Sequence, residues 1–498
     1  MNTLSTIHLL RHVRYIQFGA IYPLMLSIAF GGFAVAQTTN TALPSPVQEL
    51  MQRYKLPAQS LAIAVQEVDA AQPAIAWNTR QAMNPASVMK LVTTYSALEK
   101  LGPAYTWNTR LYFAGEGSRD PQLNNGVWDG SLILRGTGDP TLTLERFWLL
   151  LRQARQRGVK EIRGDLFLDR RLFDIPPHDA GAFDGEPFKP QNVGPDALLL
   201  NFKSVLLRFV TDPRNRTVQV VSDPQIYPQV DLKITDGPCG DFRNNLRFDW
   251  PANQFPRVSG TYPLSCGEQA WYRAVPDANL YAGLLFRQLW SELGGQWSGK
   301  VRIYNGETVG KLLAQADSPA LAEVIRDINK RSNNVMARNL FLTLGADTND
   351  GGSNGGAGTT LEKAQSAVRG ILQLRGLDFP ELVLDNGSGL SRQERISAAN
   401  LVRLLQGAWR SPVMPEFISS LSVVAQDGTT RKRLLNSSLA GSAHLKTGSL
   451  NDVRALAGYV LAASSKRYVL VCLLNDPKAE QIGPQIQDSL LQWAYSNL

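Results

Sequence analysis

Cysteine and histidine are scarce, and that scarcity narrows the chemistry first. Three cysteines and four histidines among 498 residues fall in no metal-ligand spacing, so neither a metal centre nor another cofactor is expected. His8 and His12 lie in the N-terminal segment, which leaves His178 in a Pro/Asp-rich loop and His444 beside Lys446. A Ser-His-Asp hydrolase has little to build on there. Long apolar runs are equally rare. The only one, over 16–33, follows Arg11 and Arg14, contains no acidic residue, and ends at Ala34-Val35-Ala36. That pattern predicts a signal peptide over 1–36 and export to the periplasm, with an uncleaved membrane anchor as the alternative. No later segment approaches the ~18 consecutive apolar residues of a membrane span. Polybasic blocks are missing too: losing the two leader arginines takes a formal +8 to a dispersed +6. Nucleic acid is therefore a poor partner. A mild positive excess suits work near anionic cell-surface polymers, with peripheral membrane or wall association left open.

Export permits a disulfide. Cys239 and Cys266 stand 27 residues apart in a Gly/Pro-rich stretch and are the expected pair. Cys472, inside the apolar run 468–474, reads as a core thiol in a buried strand.

What the chain does contain is organised around Asn84-Pro85-Ala86-Ser87-Val88-Met89-Lys90. Pro85 followed by good helix formers marks a helix start, and Gly102 marks its stop. Ser87 then lies in the first turn, and Lys90, three residues on, shares its face. A helix N-terminus offers free N–H groups and partial positive charge beside the hydroxyl, which suits acyl transfer. A neutral lysine amine one turn away could take the serine proton. S-x-x-K alone is a weak signal in a chain this long.

Taken in order, 61–65 and 74–77 read as two strands of a hairpin leading into that helix. From about 106 to 275 the texture turns to short strands and turns, interrupted by one amphipathic helix carrying Leu144, Phe147, Trp148 and Leu151. Gly136-Thr137-Gly138-Asp139-Pro140 lacks the G-K-[ST] ending of a phosphate loop and reads as a turn. Helices follow from Asp277 to Leu293, from Pro319 to about Lys330 and from Val335 to Leu344. Ser332-Asn333-Asn334 stands at the joint of the last two. The Gly-rich stretch 351–358 reads as a loop. A helix from Ala398 to Trp409, a strand at 444–449, a hairpin of 456–461 with 468–474 and a final helix from about Glu480 complete the pattern. The organisation expected is a catalytic domain in two parts, 37–105 and 276–498, around a β-rich insert at 106–275.

Ser87-x-x-Lys90, Ser332-Asn333-Asn334 and Lys446-Thr447-Gly448 now stand in one order. S-x-x-K with S-D-N and K-T-G marks penicillin-binding proteins and class A β-lactamases, and Ser332-Asn333-Asn334 stands in the middle place. The chain resembles that serine acyltransferase superfamily, and the 245-residue spacing from Ser87 to Ser332 narrows the resemblance. An insert of that size is the mark of class C low-molecular-mass penicillin-binding proteins, the D-alanyl-D-alanine carboxypeptidase/endopeptidases. Pro85-Ala86-Ser87, Gly138-Asp139-Pro140-Thr141-Leu142, 329–334 and Gly387-Ser388-Gly389-Leu390-Ser391-Arg392 are similar to that family as well. The resemblance implies an α/β (α+β) fold, an antiparallel sheet flanked by helices, and a serine hydrolase of peptidoglycan peptides ending in D-Ala-D-Ala that also takes β-lactam antibiotics. It implies Ser87 as nucleophile, Lys90 as proton acceptor and Ser332 as proton relay. Asn334 would hold the substrate amide, and Lys446 and Thr447 the terminal carboxylate. Backbone N–H groups of Ser87 and Ser449 would form the oxyanion hole, and Arg392 would either contact acidic groups of the peptide stem or form a structural salt bridge. Asn451 departs from the Gln common there in the family. Asp184 and Glu186 in the insert are further candidates for a diamino-acid side chain.

Overall fold

The computed structural model describes residues 41–115, 122–251, 254–306, 310–346 and 359–498. The expected signal peptide and the Gly-rich stretch 351–358 lie outside them. Among the described residues no helix is long and apolar enough to cross a membrane.

A six-stranded antiparallel sheet is the frame of the catalytic part. Its order is Ser422–Val423, Ala443–Leu450, Val453–Leu461, Arg467–Asn475, Leu61–Glu67 and Ile75–Trp77. The first long strand and the C-terminal hairpin meet in one register, Leu61 opposite Leu474 through Glu67 opposite Tyr468. Two hairpins from opposite ends of the chain thus form one sheet, which neither could sustain alone.

Alternation along these strands sorts side chains onto two faces. Leu61, Ile63, Val65, Leu456, Leu470 and Cys472 pack beneath the helices Ser45–Arg53 and Ala479–Asn497. Ala62, Ala64, Ala455, Ala457, Val469 and Val471 form the other face, against the helix Ala398–Arg410 and the turn Ala86–Met89. The helix Lys90–Leu101, which continues from that turn, is buried from Lys90 to Leu98. Gly102, at φ 80°, ends it in a conformation that favours glycine. Neither the helix Ser45–Arg53 nor the helix Thr360–Leu374 was anticipated from sequence. The second opens with a capping box between Thr359 and Glu362.

The insert reaches further than residue 275. Asn108–Phe113 pairs with Leu312–Asp317 at one edge of a five-stranded sheet, and Val301–Ile303 closes its other edge. The helix Ala278–Glu292 packs Tyr281, Leu285, Phe286 and Leu289 into the same core as Leu134, Phe147, Leu166 and Phe209. The interruption therefore spans about 108 to 317. The expectation of 276 as the return point fails because amphipathicity shows that a helix face is buried, not against which core. The insert is rich in strands, with three further three-stranded sheets, but two helices line its core.

The disulfide joins Cys239 to Cys266 within the insert, and Cys472 is a buried free thiol.

Candidate active site

Ser87 lies not in the α-helix but in a 3-10 turn, Ala86–Met89, that runs straight into it at Lys90. The turn is set from both sides. Asn84 accepts from the Ala86 N–H at 2.8 Å and donates to the Ser391 carbonyl at 2.9 Å. Asn475, at the end of its strand, clamps the Asn84 backbone through two bonds of 2.8 and 3.0 Å. Ala86 is held at φ 45°, unusual for a residue with a Cβ, and strain of this kind collects where a side chain must be aimed. The result is a half-buried Ser87 on the rim of a cleft.

Behind it, Lys90 has no exposed surface. Its Nζ donates to Ser87 Oγ at 2.9 Å, to Asn334 Oδ1 at 2.6 Å and to the Ser388 carbonyl. Burial pushes the Lys90 amine well below the usual lysine range. The charge of Lys446 adds to that effect, Glu394 opposes it, and Arg338 lowers it further.

The joint of two helices supplies the second wall. Ser332 ends Leu321–Arg331 in the left-handed region at φ 56°, and Asn333 caps the next helix by accepting from the Met336 N–H at 3.1 Å. Asn334 is then the first residue of that helix, facing Lys90. The strand Ala443–Leu450 forms the third wall. Lys446, also without exposed surface, donates to Ser332 Oγ at 2.9 Å and to the Thr447 carbonyl at 2.7 Å. Burial pushes its amine down to about 7. Thr447 Oγ1 donates to Thr429 Oγ1 at 2.8 Å, and Ser449 is exposed two residues on. The turn and the strand touch at Gly448, where a Cβ would come within 2.6 Å of the Pro85 carbonyl oxygen.

Three segments far apart in sequence thus bring Ser87, Lys90 and Asn334 into one hydrogen-bonded group and Ser332, Lys446 and Thr447 into a second, the two sharing the helix joint 332–334. A cavity of about 610 Å³ opens on them, lined by Ser87, Ser332 and Asn334 and, from the insert, by Glu145, Asp223 and Tyr272. Arg392 lies outside both groups. It pairs with Asp452 at 3.0 Å, sits over the Phe183 ring at 4.8 Å, and lines a second cavity of about 570 Å³ with Arg338, Asp385 and Asn386. Asp184 holds its own loop, accepting from Asn192 Nδ2 at 2.7 Å and pairing with Lys189 at 3.1 Å. His178 Nε2 meets the Asn192 carbonyl at 2.8 Å.

Two residues of this site carry no sequence signal of a role. Ser388 contributes only its carbonyl, and Glu394 is wholly buried behind the same loop. The Gly387-Ser388-Gly389 run hints at a tight turn, but nothing in it points to a lysine 298 residues away.

The model of the D-Ala-D-Ala carboxypeptidase 3 (S13) family matches residues 43–497. The chain is 26% identical to the D-alanyl-D-alanine carboxypeptidase DacB of Haemophilus influenzae, over 90% of this chain and 92% of that protein. It is 28% identical to a D-alanyl-D-alanine carboxypeptidase of Actinomadura sp. (strain R39), over 76% of this chain and 70% of that protein. The crystal structure of penicillin binding protein 4 (dacB) from Haemophilus influenzae superposes with a TM-score of 0.74 at 25% identity. That match covers 90% of this chain and 99% of the other.

Proposed function

Since the chain belongs to the D-Ala-D-Ala carboxypeptidase 3 (S13) family, we propose that it is a serine D-alanyl-D-alanine carboxypeptidase and/or DD-endopeptidase of peptidoglycan stem peptides. The observation that carries this reading is the Lys90 amine, wholly buried, 2.9 Å from Ser87 Oγ and depressed in basicity. Such an amine takes the serine proton as Oγ attacks the penultimate D-Ala carbonyl, and an acyl-enzyme forms. Lys446 and Thr447 hold the terminal carboxylate through an ionic and a hydroxyl contact. Ser332, bonded to Lys446, passes a proton to the leaving amine, and Asn334 orients the amide of the acyl portion. The N–H groups of Ser87 and Ser449 receive the oxyanion. Water then releases the shortened peptide and restores Ser87. The working compartment is the periplasm, reached through the N-terminal signal.

A β-lactam presents a strained amide and a carboxylate in the same relation, so it acylates the same serine. Mass spectrometry of penicillin-treated protein should show one adduct, on the peptide containing Ser87. Ser87→Ala should abolish the adduct and the peptidase activity while leaving the fold intact, since this half-buried side chain contributes little packing. An adduct that persists in Ser87→Ala, on another serine, overturns the assignment. Product analysis with cross-linked and uncross-linked wall peptides separates carboxypeptidase from endopeptidase action.

A further inference from the structure

Glu394 is the buried titratable group of the site that this mechanism leaves unused. Its side chain has no exposed surface. Oε1 accepts from the backbone N–H groups of Gly387 at 2.8 Å, Asn386 at 3.2 Å and Asp385 at 3.4 Å. Oε2 is buried with no hydrogen-bond partner among the described residues. From the opposite side the same loop is held by the helix Lys90–Leu101: Thr93 Oγ1 donates to the Gly387 carbonyl at 2.6 Å, and Lys90 Nζ donates to the Ser388 carbonyl. Four consecutive residues of one loop are thus clamped between Glu394 and Lys90.

We propose that Glu394 is a positioning residue for Lys90, gripping the loop whose Ser388 carbonyl holds Nζ and exchanging protonation with the amine through charge. The proposal rests on the reading of Lys90 as proton acceptor. With one proton between the two groups there are two forms. In one, the carboxylate is ionised and its charge keeps an ammonium on Lys90, which cannot accept from Ser87. In the other, the carboxyl holds the proton and Lys90 is a free amine. Burial pushes Glu394 up to about 7 and lowers Lys90 well below the usual lysine range, so the two groups shift toward one another. Asp385 and Lys90 also act on Glu394, and Lys446, Glu394 and Arg338 on Lys90. Arg338, from the helix Asn334–Gly345, feels Glu394 and Asp385 in turn.

The test is the penicillin acylation rate of the full chain against pH. Glu394→Gln keeps an oxygen for the three N–H groups and mimics the protonated carboxyl, so the acid limb should move to lower pH by about half a unit or more. Glu394→Ala removes the grip, and acylation should fall about tenfold, with Glu394→Gln recovering the loss. A merely structural carboxyl would not move the limb. An adduct at Ser87 whose acid limb ignores Glu394→Gln overturns this proposal alone. Absence of any adduct in the parent protein overturns the catalytic reading together with it.

Discussion

Lys90 and Lys446 are both without exposed surface, yet the chemistry asks opposite things of them. In the proposed mechanism Lys90 must be neutral to accept a proton, and Lys446 must be charged to capture a carboxylate. Burial lowers both, and the Lys446 charge lowers Lys90 further, so each lysine's state sets the other's. On the proposed roles, the productive free enzyme is the form with neutral Lys90 beside charged Lys446. Acylation under subsaturating drug should therefore fall on the acid side, as Lys90 takes a proton. It should fall again above about 7, as Lys446 loses one. Lys446→Ala should slow acylation about ten- to a hundredfold, the worth of one charge-assisted contact of roughly 1.5–3 kcal/mol, and should erase the alkaline limb. If that limb persists in the variant, it belongs to another group. The residue types of this site were readable in the sequence, because S-x-x-K, S-N-N and K-T-G name their own chemistry. Their protonation was only partly so. Burial and the nearby Lys446 were foreseeable, but Glu394 enters through a loop fold that no spacing records.

At the scale of elements, the site depends on how closely a strand passes a turn. The strand Ala443–Leu450 lies on the turn Ala86–Met89, and Gly448 is the point of approach. Gly389, at φ 81°, makes the other close approach. A Cβ there would stand 1.9 Å from the Ala86 carbonyl oxygen, in a backbone conformation that side chains rarely adopt. Gly448→Ala is the more informative change because its backbone needs no special φ. The methyl group has to displace the Pro85 carbonyl, and with it the turn that aims Ser87. A misplacement of about 1 Å at a reacting atom can cost on the order of a hundredfold. Acylation should thus drop at least about tenfold, and circular dichroism should find the secondary structure unchanged. Wild-type acylation in Gly448→Ala would mean that the turn is not set by this contact. Strands and helices around these points were legible from period and punctuation: the hairpin 453–475, the helix Ala398–Arg410 and the terminal helix all fall where the pattern puts them. The helix Thr360–Leu374 escaped notice although Thr359 and Glu362 carry the capping-box spacing. Ser87 itself was expected inside the helix. The 3-10 turn that precedes Lys90 reflects Asn84 and Asn475, whose pairing spans 391 residues.

The whole molecule has distinct cores, and the division explains both what the sequence concealed and what an injury to one core should spare. The catalytic cores flank the six-stranded sheet, and the insert's core runs from Leu111 to Ala316. Sequence places the insert because its strands are short and its turns frequent. It misplaces the return at 276 because that boundary is a fact of strand pairing between Asn108–Phe113 and Leu312–Asp317. The disulfide belongs wholly to the insert, with Cys266 in its core and Cys239 packed against it. It closes a 27-residue excursion, and a loop of that length constrains the unfolded insert by about 2–4 kcal/mol. Replacing both cysteines by alanine should therefore lower the unfolding free energy of the insert by that amount, which is read as a lower denaturant midpoint. The six clustered residues at Ser87 are carried by other segments, so penicillin acylation at 25 °C should proceed at the parent rate. Equilibrium unfolding followed beside the acylation assay checks both halves. An unchanged midpoint would deny the crosslink its stabilising role. A slowed acylation in folded protein would show that the insert's core sets the geometry at Ser87, and the two bodies would then have to be treated as one mechanical unit.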